Sequence, residues 1–272
     1  MERLAFHGLG LHSGEPCSLA LDRDHGPVRL RVGKRSVELA QLTVFRTDLG
    51  VQVGVEPEGE LPGFRVDLVE HLFGALAGLQ VDGQLEIRVT GPELPLLDGG
   101  ALELSQALLA LELPASPPRL RVLRAGELHL GTSRYVLTPA ERVSVTVQVD
   151  FRGVGEQCAS WDGTRGSFLT DIAPARTFGY RADHAALSER GRARHVDKRS
   201  VMVLTEAGEV EPPGRPMGQD ELARHKLLDL LGDLYLGGGA PLGSIRAEHP
   251  GHTSNHRFLR AATEAGLIGQ VS

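Results

Sequence analysis

Two periodicities run through the hydrophobic and polar positions of this chain, one near 3.6 residues and one of two. The sharpest helical pattern is Asp220-Glu-Leu-Ala-Arg-His-Lys-Leu-Leu-Asp-Leu-Leu-Gly-Asp-Leu-Tyr-Leu-Gly237. Its Leu227, Leu228, Leu230, Leu231 and Leu234 take one side and must face a core. His225, Asp229 and Asp233 recur every fourth residue, within an arc of ~80° on the other side. A second helix is predicted over 67–79, apolar almost all round except for Glu70 and His71, and a third over 102–111. An N-cap at Asp183 and a stop at Gly191 predict a short helix between them, and a helical pattern follows the Gly/Pro loop 248–255. Strand alternation is unbroken at 143–149 and clear at 85–89, after an Asp82-Gly83 turn; another strand-like run begins at Leu120.

Strands and helices segregate into runs, which predicts an α+β fold rather than a βαβ winding. Three prolines in Glu112-Leu-Pro-Ala-Ser-Pro-Pro-Arg119 mark the boundary between two domains, 1–115 and 119–272. No internal repeat is visible in the letters.

Composition narrows the class. With 272 residues and 41% hydrophobic content the chain can bury a sizeable core. A net charge of -6 with interspersed signs argues against a general nucleic-acid binder. No start resembling a secretory signal and no run of ~18 apolar residues is present, so no transmembrane segment is expected. Cys17 and Cys158 are far apart and belong to no Cys-x-x-Cys pair, so they read as reduced thiols of a cytoplasmic protein.

The polar stripe is where the chemistry lies. An imidazole and a carboxylate one turn apart, as in His225 and Asp229, can grip one metal ion, although a solvated polar face would look the same. Gly232 between the two aspartates costs the helix about 1 kcal/mol relative to Ala, which suggests that something approaches the backbone there. Glu70 and His71 in an otherwise apolar helix would be costly to bury unless paired or near a metal. The loop 248–255 presents His249 and His252.

Val69-Glu-His-Leu72, Glu93-Leu-Pro-Leu-Leu-Asp-Gly99, Ala175-Arg-Thr-Phe-Gly179, His225-Lys-Leu-Leu-Asp-Leu-Leu-Gly-Asp-Leu-Tyr235 and Gly251-His252 occur in this order behind an opening Gly8-Leu-Gly-Leu-His-Ser-Gly14. In this the chain resembles the UDP-3-O-acyl-N-acetylglucosamine deacetylases, zinc amidases of lipid A synthesis, over nearly its whole length. The resemblance implies two domains, each a small sheet packed with helices, facing each other across the active site. It implies His71, His225 and Asp229 as ligands of Zn2+, with Fe2+ also admitted by such a set. Glu70 would be the general base. His252 would be the general acid, or a charge stabilising the oxyanion and the leaving amine, with Asp233 holding its tautomer. Thr177 matches a hydroxyl near the oxyanion, but can equally be a turn or strand residue. Lys226 matches a substrate-contacting lysine, or is a solvated helix charge. Phe178 either stacks on the sugar or fills the core. His12 lies near the substrate, or only in a tight turn. Glu93 to Gly99 reads as structural.

The implied partner is an acylated nucleotide sugar, handled by a monomer without nucleic acid. One segment departs from the pattern: Gly191-Arg-Ala-Arg-His-Val-Asp-Lys-Arg-Ser200 stands where an apolar stretch would line an acyl passage. Arg192, Arg194 and Lys198 are poor apolar walls, so they are expected to be exposed or to contact anionic groups, with a flatter dependence on acyl length than an apolar passage would give. Two other functions stay open: deacetylation of a differently acylated or unacylated nucleotide sugar, and a zinc-stabilised binding protein without turnover. A structural zinc site usually closes its fourth position with Cys, and neither cysteine here sits in a ligand motif.

Overall fold

The computed structural model describes residues 4–271. The first half contains β1 (Leu4–Leu9), β2 (Pro16–Arg23), β3 (Arg29–Val32), β4 (Arg35–Glu38), a three-stranded sheet β5 (Thr43–Arg46), β6 (Gln52–Val55) and β7 (Phe64–Asp67), then α1 (Glu70–Gly78), β8 (Leu85–Thr90) and α2 (Leu102–Ala110). The second contains β9 (Leu120–Val122), β10 (Gly126–Leu130), β11 (Ser133–Thr138), β12 (Val143–Phe151), β13 (Gly155–Trp161), a single turn α3 (Arg165–Ser167), β14 (Phe178–Tyr180), α4 (His184–Glu189), β15 (Met202–Leu204), α5 (Glu221–Tyr235), β16 (Gly243–Glu248), α6 (His252–Glu264) and β17 (Ile268–Gln270). This is the expected α+β fold.

The halves share one wiring scheme. The first sheet has the order β1-β2-β8-β3-β4 and the second β10-β11-β16-β12-β13. In each, the last strand to be made inserts between the second and third, antiparallel to the former and parallel to the latter. A helix enters that strand, α1 before β8 and α5 before β16, and another leaves it. The two entering helices pack on each other, so the helices that carry the chemical stripes are topological equivalents. One cluster of buried apolar side chains runs through both halves, from Leu19 and Ile87 through Leu72 and Leu76 to Leu227, Leu231 and Ile245.

Their contact explains Gly232. A Cβ there would stand 2.1 Å from the Glu70 carbonyl oxygen, and one on Gly74 would stand 2.6 Å from the Leu228 side chain. The approaching partner inferred from the sequence is therefore the backbone of α1. Gly232→Ala would gain about 1 kcal/mol of helix propensity but force the helices apart, at roughly 1–3 kcal/mol or more. The variant is expected to melt several degrees below the parent. An unchanged Tm would show that the crossing tolerates a methyl group.

Several boundaries shift. The helix predicted from 67 starts at Glu70, because Leu68 turns the chain with φ 61°. Asp183 does not cap with its side chain; a short 3-10 turn over Arg181–Asp183 leads into α4 instead, while Gly191 at φ 70° does end the segment. The motif Glu93 to Gly99 is structural. Glu93 accepts from the amides of His12 and Ser13, and Asp98 accepts from Leu102 and Glu103 at the start of α2.

Candidate active site

At the crossing of α1 and α5 three buried side chains converge. His71 Nε2 is 3.8 Å and His225 Nε2 3.5 Å from Asp229 Oδ1, and one donor atom of each of the three residues lies within 4.8 Å of the others. The two imidazoles stand edge to face, with centroids 5.0 Å apart. His225 Nδ1 lies 3.0 Å from the Ala175 carbonyl. A carbonyl only accepts, so Nδ1 carries the proton and Nε2 turns its lone pair toward the other two donors. Burial, with His225 beside it, pushes His71 down to about 3, and burial likewise lowers His225. Burial opposes the charged form of Asp229, but Lys226 and the surrounding histidines hold it below the usual carboxylate range. Two neutral imidazoles and a carboxylate, buried and preorganised, are what a divalent cation requires. These residues fit a metal ion and would hold it.

Glu70 precedes His71 on α1. Its Oε2 accepts the Val51 amide at 3.0 Å, and burial raises it to about 7. From the opposite side comes His252, the first residue of α6, with Nδ1 2.8 Å from Asp233 Oδ2 and Nε2 3.9 Å from Asp229 Oδ2. Burial works against an imidazolium there, but Asp233, Asp229 and Glu70 outweigh it and raise His252 to about 9. The structure thus brings a carboxylate that can be neutral and an imidazole that can stay charged to the same place from different elements.

The remaining predicted residues line one cavity of about 830 Å³ that opens from this centre. Thr177 is fixed by its backbone, donating to Gly99 and accepting from Met202. Phe178 stands edge-on to His225 and to Phe151. Lys226 donates to Asp229 Oδ2 at 2.6 Å, so it is tied to the centre rather than free in solvent. His12 is buried in the wall and accepts the Ala193 amide at Nδ1; burial, with Arg192 nearby, lowers its pKa. His249 is exposed and takes no part.

The reading of 191–200 as a poor apolar wall is corrected in part, since Arg194 and Lys198 do line the cavity, beside apolar neighbours. Ala193 and Val196 line the cavity together with Leu11, Leu68, Leu187 and Val201. Arg192 donates to the Leu49 carbonyl at 3.0 Å and lies 3.8 Å from Asp67, with 11% of its side chain exposed. Lys198 pairs with Glu211 at 3.1 Å, and Arg199 with Asp197 at 2.7 Å. Of the three basic residues expected to be exposed or bound to substrate anions, only Arg194 is exposed. The others are taken up by the protein's own acceptors.

The sequence reading missed the backing of the centre. Asn255 donates to Asp233 and accepts from Tyr135, and Arg176 forms a buried ion pair with Glu221 at the start of α5. A polar pair placed i and i+3 on α6 was the available signal for Asn255.

Residues 1–264 match the profile of a family described as UDP-3-O-acyl N-acetylglycosamine deacetylase. A Myxococcus xanthus protein named UDP-3-O-acyl-N-acetylglucosamine deacetylase is 33% identical over 265 residues, which cover 94% of this chain and 82% of that protein. Proteins of the same name from Shewanella violacea and Geotalea uraniireducens are each 31% identical, over 93% and 94% of this chain and 85% of their own lengths.

Proposed function

This chain belongs to the UDP-3-O-acyl-N-acetylglucosamine deacetylase family, and from that premise we propose how its residues carry out the activity. It is a metal-dependent hydrolase that removes the N-acetyl group of an acylated UDP-N-acetylglucosamine in lipid A biosynthesis. The observation that carries the residue assignment is the convergence of His71, His225 and Asp229 with Glu70 and His252 at the inner end of one cavity.

The first three residues would hold the metal ion, for which the His2Asp set suits Zn2+ and also admits Fe2+. A metal bound there would supply positive charge to polarise the amide carbonyl and acidify water. Glu70 takes the proton of the attacking water; its raised pKa supports the part of a base poised near neutrality. His252, charged below about 9, gives a proton from Nε2 to the leaving amine while Asp233 holds Nδ1. Thr177 donates its hydroxyl toward the oxyanion. Lys226, Phe178 and His12 contact the nucleotide sugar from the cavity wall.

We assign the two domains to 1–115 and 119–272, since each side of the proline-rich segment 112–119 builds its own five-stranded sheet. Cys17 and Cys158 are both free, in keeping with a reducing, cytoplasmic location. Among the described residues no helix is long and apolar enough to cross a membrane.

The apolar wall of Leu11, Leu68, Leu187, Val196 and Val201 favours an acylated substrate over an unacylated one. Each buried methylene contributes up to ~0.8 kcal/mol, or roughly three- to fourfold in kcat/KM, so activity should fall steeply as the acyl chain is shortened. Mass spectrometry of the products from the metal-loaded protein, over a series of chain lengths and the unacylated sugar, provides the measurement. A flat response would place the chain outside this cavity.

A further inference from the structure

His256 has no part in the reaction as described. It lies one turn after His252, and α6 sends His252, Asn255 and His256, at positions i, i+3 and i+4, to the same carboxylate. We propose that His256 is a positioning residue: it fixes Asp233 and, through it, the ring of His252. The proposal rests on the deacetylase reading of this site.

The side chain of Asp233 has no exposed surface, so its oxygens depend on protein donors. Oδ2 is fully engaged, by His252 Nδ1 and Asn255 Nδ2, both at 2.8 Å. Asn255 cannot turn its amide over, because that would set its Oδ1 against the acceptor-only carboxylate; in the orientation it keeps, its Oδ1 accepts the Tyr135 hydroxyl at 2.6 Å. Oδ1 is held more loosely. It lies 3.1 Å from the same His252 Nδ1 and 3.2 Å from His256 Nε2. The His256 approach is off the axis of a good hydrogen bond, and its buried Nε2 has no better partner among the described residues. Facing a carboxylate, this nitrogen carries a proton. Without it, Oδ1 would compete for His252 Nδ1, the carboxylate could rotate about its own bond, and the His252 ring would lose its fixed direction toward the cavity. Tyr135 and Asn255 set one oxygen; His256 sets the other.

Three forms of the metal-loaded protein test this. His256→Leu keeps the bulk and removes the donor, and His256→Gln returns an N–H near the position of Nε2. We expect kcat to fall about tenfold in the leucine variant, with KM within about twofold and metal content unchanged, and to be largely restored in the glutamine variant. Equal losses of kcat in both variants, or a KM that rises in step, would overturn the proposal. A readout at rest, by NMR, separates this from failure of the deacetylase reading: the downfield Nδ1 proton of His252, which faces Asp233 Oδ2 at 2.8 Å, should shift or broaden in His256→Leu and recover in His256→Gln. A signal that His256→Leu leaves unmoved overturns the proposal whether or not the protein deacetylates.

Discussion

His225→Ala is expected to abolish activity, by at least about a thousandfold, and to reduce bound metal from near one per chain to a trace. Both effects have one origin. Asp229 and His71 remain, but they come from different helices, and two donors do not close a site that needs three. An ion held by His71 together with His225 and Asp229 would join α1 to α5, so its binding should also stabilise their docking, by RT ln(1 + [metal]/Kd), about 4 kcal/mol when metal exceeds Kd a thousandfold. A chelator should therefore lower the Tm of the parent and leave that of His225→Ala unmoved. Metal analysis beside thermal melts makes the comparison, and undiminished metal in the variant would remove His225 from the ligand set.

Glu70→Gln should leave the metal in place and cost kcat roughly a hundredfold or more. The amide oxygen of glutamine can still accept the Val51 amide, so the local fold has no reason to change. What disappears is the basic group. The signs follow from the shifts. Glu70 must be ionised, so the rate rises as pH passes about 7, and His252 must be protonated, so it falls beyond about 9. A bound cation next to both favours the ionised Glu70 and the neutral His252, and so moves both limbs to lower pH. In Glu70→Gln the acid limb should vanish from the residual activity. Metal loss matching that of His71→Ala, or an acid limb that survives, would make Glu70 a supporting residue instead.

The parts of this site that were legible in the sequence are those written in a local period. The stripe of His225, Asp229 and Asp233 against leucines needs only one helix to be read, and Glu70-His71 stands out because its surroundings are apolar. Gly232 signalled a close approach without naming the partner, since the partner is 158 to 162 positions upstream, at Glu70 and Gly74. The backing of Asp233 was hidden for the same reason: Tyr135 reaches Asn255 from a strand of the second sheet, 120 positions away. The segment 191–200, where Arg194 and Lys198 do border the cavity, was misread only in part, and for another reason. Counting basic residues gave the composition of the segment but not its orientation, and the inward positions Ala193 and Val196 are a minority of its letters. The shared wiring of the halves left no trace in residue identity, because alternation of period two is satisfied by many unrelated side chains.

The crossing of the two equivalent helices also sets a clock. α1 ends at Gly78 and its partner begins at Glu221, so roughly 140 residues must be synthesised before the face of α1 that carries Glu70 and His71 can be covered. At 5–20 residues per second that interval lasts about 7 to 30 seconds. Throughout it the nascent chain offers a histidine and a carboxylate on an apolar surface with no second helix to enclose them. Neither metal capture nor burial of that surface can be completed early; both wait for the same late segment, and a ribosome that stalls between the helices leaves a product with an uncovered, sticky face and no chemistry.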